Sequence, residues 1–200
     1  MHPRRLRGLL AAGLLFGVTV TVSAATWVDV EHANGTFAAS MFTTESAVGG
    51  AGYAANHAPP GPTVTLAAAG FLPGQSRYTS VLIRTTPGSV GGTVLLNGAA
   101  LSGADAADLG AVFVYRVVLT VAACSAASFG GSPTYVVGSA QAGAALTIGA
   151  AQAVPLAAGS DTAPGAPVGF CFEVTLPSGA SNTLQGKSTT AVWKLTAQSE

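Results

Sequence analysis

The sequence predicts an all-β protein, an antiparallel sandwich or barrel behind a cleaved N-terminal signal helix. Two observations predict the fold. Valine, threonine and aromatic residues gather in short runs separated by Gly and Pro, the spacing of many short strands. The most apolar internal stretch, Ala111–Ala123, is valine-rich and interrupted by Arg116, which suits a buried strand better than a membrane span. A third observation predicts the signal. Arg4, Arg5 and Arg7 precede an apolar run from Leu9 to Val22, and small residues follow at Ser23-Ala24-Ala25.

A signal peptidase needs small side chains at the first and third positions before its cut. Ser23 and Ala25 satisfy this for a cut before Thr26, and Val22 with Ala24 for a cut before Ala25. The apolar run is shorter than the ~20 residues a spanning helix prefers, and its glycines weaken a long helix. Residues 1–25 are therefore read as a signal peptide and 26–200 as one β domain, a usual domain size. The mature chain is expected to be secreted, with no membrane span of its own.

The strands are predicted in order. Thr36–Glu45 is the first, followed by a Gly/Pro/Asn-rich loop over Ala47–Pro62. Thr63–Ala68 is the second, and Leu72-Pro73-Gly74 makes a turn, because Pro-Gly fits the two central positions of type II. Arg77–Thr86 is a strong strand ended by Pro87-Gly88, and Val90–Leu96 follows as a hairpin partner would. Leu101–Leu109 reads as a short helix or turn, with Ser102 as N-cap and Asp105 imitating a capping box. Ala111–Val121 is the most β-prone segment and is expected to be central. Ala122–Pro167 is weak, with short strands at Tyr135–Val137, Ala145–Ile148 and Ala153–Leu156. Val168–Leu176 and Thr189–Ala197 are the last two.

Charge narrows the partners. Removing the signal leaves five basic against eight acidic residues, a net charge of about −3, with no basic patch for nucleic acid. Only 8% of residues are charged, far below the usual ~25%, so the surface must be largely small and neutral. Such a surface repels its copies weakly, which favours self-association, although a high-Ala, high-Gly composition bias explains it equally well. In an exported chain the two cysteines, Cys124 and Cys171, are expected to form a disulfide. The chain-entropy argument makes such a bridge worth roughly 4 kcal/mol, less any strain.

Catalytic chemistry is hard to find. The mature chain holds two histidines, His32 and His57, and no H-E-x-x-H; a metal held by Asp29, Glu31, His32 and His57 is possible only on paper. No G-x-S-x-G elbow and no phosphate-cradling loop occurs. Asp105 and Asp108 are paired carboxylates, better read as a solvated turn. Asn34-Gly35-Thr36 matches a glycosylation sequon but is more simply a turn before a strand. Neither a catalytic residue nor a cofactor is assigned.

Several motifs resemble one family. Ala25-Thr26-Trp27-Val28-Asp29, then Gly35-Thr36-Phe37-Ala38-Ala39-Ser40, is similar to the mature start of the TasA/camelysin family, whose signals are cut by a SipW-type peptidase. Leu72-Pro73-Gly74-Gln75 resembles the family's turn before a long strand. Leu176-Pro177, Leu184-Gln185-Gly186 and Trp193–Ala197 resemble its actinobacterial branch, as does the context of Cys124 and Cys171. The resemblance implies a jelly-roll-like β-sandwich serving as a secreted surface or biofilm-matrix protein. In fibre-forming relatives an N-terminal donor strand fills a groove in the next subunit. Carried here, the donor would be Thr26–Glu45, anchored by Trp27, Phe37 and Phe42. His32-Ala33-Asn34 departs from that pattern. The expected partners are the signal peptidase, further copies of the chain and other matrix proteins. Two alternatives remain: a camelysin-like metallopeptidase, for which no ligand motif speaks, and a surface carbohydrate-binding or adhesion module, which needs an exposed aromatic platform.

Overall fold

Side chains on a strand point alternately to its two faces, so a strand with one wet face shows a period of two. The segment around Cys171 keeps the alternation of sides, although both of its faces are buried. Phe170, Phe172 and Val174 point to one side, and Cys171 and Glu173 to the other. The computed structural model describes residues 39–55, 64–67 and 70–200, and Ala39–Glu200 forms one compact unit. The signal peptide, its cut at Ala25/Thr26, Trp27, His32, Phe37 and His57 lie outside the described residues.

The protein is an all-β sandwich of antiparallel sheets. One layer has the order β1-β3-β10-β6-β7, from β1 (Thr44–Val48), β3 (Ser76–Thr85), β10 (Val168–Thr175), β6 (Val114–Leu119) and β7 (Tyr135–Val137). The two-residue β8 (Ala144–Ala145) pairs with β6 beside β7. The facing layer joins two three-stranded sheets. β2 (Val64–Ala67), β11 (Thr190–Trp193) and β5 (Ala100–Ser102) form one; β12 (Leu195–Ser199), β4 (Gly92–Leu96) and β9 (Val154–Leu156) form the other. β11 and β12 are consecutive, broken only at Lys194, and they pair with β5 and β4 in turn. The two sheets are therefore one bent strand pair with a partner at each end. The chain's one α-helix among the described residues, α1 (Ala106–Gly110), connects β5 to β6.

The core lies between the layers. Val81 and Ile83 of β3, Tyr115 and Val117 of β6, and Phe170, Phe172 and Val174 of β10 face Val94, Leu96, Ala191, Trp193 and Leu195. Trp193 is fully buried, its ring 5.3 Å from Tyr115 and 5.5 Å from Phe172. Aromatic contacts at these separations add roughly 0.5–1.5 kcal/mol beyond area burial.

Most predicted strands form, with informative differences. β1 begins at Thr44 and runs through Ala47 and Val48, inside the expected loop, because Ala47 is buried and pairs with Leu82. Within the described residues the expected strand start, Ala39–Thr43, makes only an isolated bridge, Met41 to Ser89. Val90–Leu96 is not a hairpin partner of β3: β4 pairs with β12 and β9 in the other layer. Only turn length suggested the hairpin, and the apolar alternation of β4 is equally served across the sandwich. Thr189–Ala197 is two strands, since Lys194 breaks the ladder and its carbonyl accepts the Asn97 N–H at 2.9 Å. Ser102 ends β5 rather than capping α1; Asp105 holds the N-cap position without a side-chain cap bond. The Pro73-Gly74 turn forms as expected. Gly74 has φ of 84°, where L-residues are strained, and the Gln75 N–H donates to the Leu72 carbonyl at 2.9 Å.

Candidate functional site

Without a catalytic motif, the places to inspect are sheet edges, exposed faces and cavities. Unpaired strand edges recruit other strands unless blunted. Three edges here are blunted. β1 exchanges backbone hydrogen bonds with Ala54, at 2.9 and 3.0 Å through Ser46. β9 carries Pro155, which has no N–H to offer. β7 and β8 are short, and the β6–β7 register is irregular at Val117/Val118. The remaining edges are β2 with β12 and, on the other side of the same layer, β5; among the described residues no strand pairs with the outer side of any of them.

The chain enters β1 in extended form beside Ser89 and Val90. The Val90 N–H donates to the Met41 carbonyl at 2.9 Å, and the Thr43 N–H to Ser89 Oγ at 2.9 Å. Phe42 packs on the core of its own domain, against Gly92. A Cβ on Gly92 would sit 2.9 Å from the Phe42 ring and run into the Gln198 carbonyl, so only glycine fits there. Ala39, Ser40 and Met41 are exposed.

The outward face of the β3–β10–β6 region holds the densest polar cluster. Glu173, 7% exposed, accepts from Arg116 Nε at 2.6 Å and from the Tyr78 hydroxyl at 2.9 Å. Arg116 also donates to the Ala140 carbonyl at 3.0 Å and lies 5.1 Å above the Phe129 ring. Register explains the meeting: Glu173 stands opposite Arg116 on one side and Tyr78 on the other. Burial, then the hydrogen bond to Glu173, raises the pKa of Tyr78. Farther along, Arg84 pairs with Glu45 at 2.6 Å and stacks on Tyr53 at 3.7 Å. On the core side, burial pushes the Tyr115 hydroxyl up to about 12, and it donates to the Ile148 carbonyl. The Trp193 indole N–H nearby opposes that rise without making a hydrogen bond, and it has no partner among the described residues.

Cys124 and Cys171 form the expected disulfide, with Cα atoms 5.3 Å apart. It does not join the two layers. It fastens the segment after β6 to the outward face of β10, beside the Glu173 cluster.

Two cavities among the described residues bear on function. One, about 320 Å³, is lined by Ser76, Thr175, Arg116, Glu173 and Gln141. Its charges are already matched, and Ser76 and Thr175 hydrogen-bond to each other at 2.6 Å. The other, about 270 Å³, lies among Phe71, Leu109, Phe113, Leu176 and Leu184, with Lys187 at its rim. Lys187 pairs with Asp108, whose hydrogen bond raises the lysine pKa; Asp105 accepts the Ser188 N–H at 3.1 Å. The two aspartates thus pin the Lys187 loop rather than each other's proton. No group of three or more metal-ligating side chains occurs among the described residues, and no described helix is long and apolar enough to cross a membrane.

The Tyr78–Glu173–Arg116 cluster was missed in sequence, although it left a trace. Arg116 and Glu173 each interrupt an otherwise apolar strand, and opposite charges in two central strands are expected to pair. Compared with known proteins, the chain matches no protein-family model and no curated protein.

Proposed function

We propose that the mature chain is a secreted, non-enzymatic structural protein of a cell surface or extracellular matrix, and that it assembles by strand addition. The observation that carries this reading is the entry into β1. The chain reaches the sandwich as an exposed extended segment, Ala39–Met41, and every described strand begins at Thr44 or later. A segment delivered in this way suits backbone pairing with a neighbour. The donor is then Thr26–Ala38, with Trp27 and Phe37 as anchors, and its acceptor is the outer side of β2 and β12. Phe42 acts differently, as the fixed end that seats the donor against its own domain.

The supporting features are consistent with a likeness to the TasA/camelysin family, its jelly-roll connectivity and a SipW-type cut before Thr26. Six of the eleven charged side chains among the described residues form ion pairs: Arg84 with Glu45, Arg116 with Glu173 and Lys187 with Asp108. That leaves a weakly charged exterior, which lowers repulsion between copies.

The test is deletion of Thr26–Ala38 from the mature chain, followed by negative-stain microscopy across concentration and pH. Loss of fibres with an unchanged thermal transition is expected. Fibres that persist after deletion remove the donor-strand reading.

A further inference from the structure

The loop between β6 and β7, from Thr120 to Thr134, is fixed at its ends. The Thr120 N–H donates to the Gly169 carbonyl at 2.9 Å, and the Thr134 carbonyl accepts the Leu119 N–H at 2.9 Å. Between those ends its backbone bonds are local: Ser128 to Ser125 at 3.0 Å and Gly130 to Ala127 at 3.2 Å. The Ser125 and Ser128 side chains complete a capping box on the 3-10 turn Ala126–Phe129. The loop is therefore a small self-structured unit. Two of its residues, Phe129 and Cys124, fasten it to the sheet; the Phe129 carbonyl accepts the Tyr135 hydroxyl at 3.5 Å and Arg116 lies over the Phe129 ring. Phe129 lies 6.0 Å from Tyr78 and 6.5 Å from Tyr135, and Cys124 is bonded to Cys171. Most of its other residues are exposed. Beneath and beside it, Cys171 and Val118 are fully buried and Glu173 nearly so.

The sheet does not depend on this loop. β10 makes eight registered pairs with β3 and six with β6, and the core lies on the opposite face. Segments with few buried apolar contacts and local hydrogen bonds open at lower free energy than core strands.

We infer that the Cys124–Cys171 bond is a latch on this flap, and that thiol exchange releases the flap and bares the outward face of β6 and β10 while the sandwich stays folded. Cys124 is partly exposed and Cys171 is not, so the attack falls on Cys124. A thiolate of a dithiol reductant bonds to the Cys124 sulfur as the Cys124–Cys171 bond breaks. Cys171 leaves as a thiolate and takes a proton. The second thiolate of the reductant then attacks the reductant sulfur bound to Cys124, closing a cyclic disulfide. Cys124 is released and protonated. The protein gains two electrons and two protons, and the dithiol loses them. The uncovered face presents Cys171, Val118 and the Arg116–Glu173 pair to solvent or to a partner. This switch is independent of strand addition.

The test uses the mature chain, oxidised and after dithiothreitol, with bond reduction checked by mass. Chymotrypsin is expected to cut after Phe129 only in the reduced form. Hydrogen exchange across Val121–Pro133 is expected to accelerate more than tenfold, with amides of β3, β6 and β10 unchanged. A variant with both Cys124→Ser and Cys171→Ser is expected to behave like the reduced chain. A flap that stays protected after reduction overturns the latch, as does a bond that resists dithiothreitol until the protein unfolds. Loss of protection in flap and sheet together overturns it too, because the bond then holds the fold and not the flap.

Discussion

The two faces of β10 solve opposite problems with the same backbone. Inward, Phe170, Phe172 and Val174 meet Val94, Leu96 and Trp193 of the facing layer in an apolar core. Outward, Cys171 and Glu173 are as deeply buried as many core residues, yet what covers them is a latched loop and an ion pair. Burial on the inner face comes from one layer packing on another and is non-directional. Burial on the outer face depends on register and on one covalent bond. The inner face should therefore tolerate shape-preserving change and punish truncation. The outer face should punish removal of a single partner yet tolerate replacement of the pair.

The largest expected effect is on the inner face. Phe172→Ala leaves a cavity beside Trp193 and Tyr115 and is expected to cost about 3–5 kcal/mol in denaturant unfolding. A loss under ~1 kcal/mol would mean that the layers do not pack as described. Next comes the outer face. Glu173→Ala leaves the Arg116 guanidinium and the Tyr78 hydroxyl without their partner, an expected cost of about 2–3 kcal/mol, reduced from the fully buried case because Arg116 is partly exposed. The double change Arg116→Leu with Glu173→Leu should recover most of that loss. If it does not, the pair contributes more than it costs to desolvate, and the contrast between the faces is weaker than drawn.

The smallest effect is alkaline. Both Tyr78 and Tyr115 have pKa values raised in the fold, Tyr115 to about 12. The folded state therefore holds protons that the unfolded state releases near pH 10, so stability is complete below pH 10 and falls as pH rises toward about 12. Urea unfolding between pH 9 and 12 should show this limb, and Tyr115→Phe should flatten it. An unchanged limb in that variant would assign it to Tyr78 on the outer face.

Much of the fold was legible because period two is local. β3 and much of β6 announce themselves by alternation, β10 by its run of apolar and β-prone residues, and the Pro73-Gly74 turn by its chemistry. The layer to which a strand belongs was not legible. Val90–Leu96 reads equally well as a neighbour of β3 or as a strand across the sandwich, since both bury the same side chains. The break at Lys194 is likewise invisible in composition, because it reflects the bend needed where one strand pair serves two sheets. Of the candidate site, the cysteine pair was legible; of the Tyr78–Glu173–Arg116 cluster only the two opposite charges in apolar strands left a trace, since the register that brings Tyr78 to them has no one-dimensional signature.

By itself, then, the sequence determined the strand-rich character, the turns, the disulfide partners and the low charge, all of which rest on local periodicity, residue chemistry or counting. That the bond staples the weak segment after β6 to the following strand was also legible, from the places of Cys124 and Cys171 among the strands; only the tertiary structure decided that it lies on the outward face of β10 and not between the layers. Long-range pairing alone sets which surface lies above Cys171, because that surface is brought there from Cys124, 47 positions away in the chain.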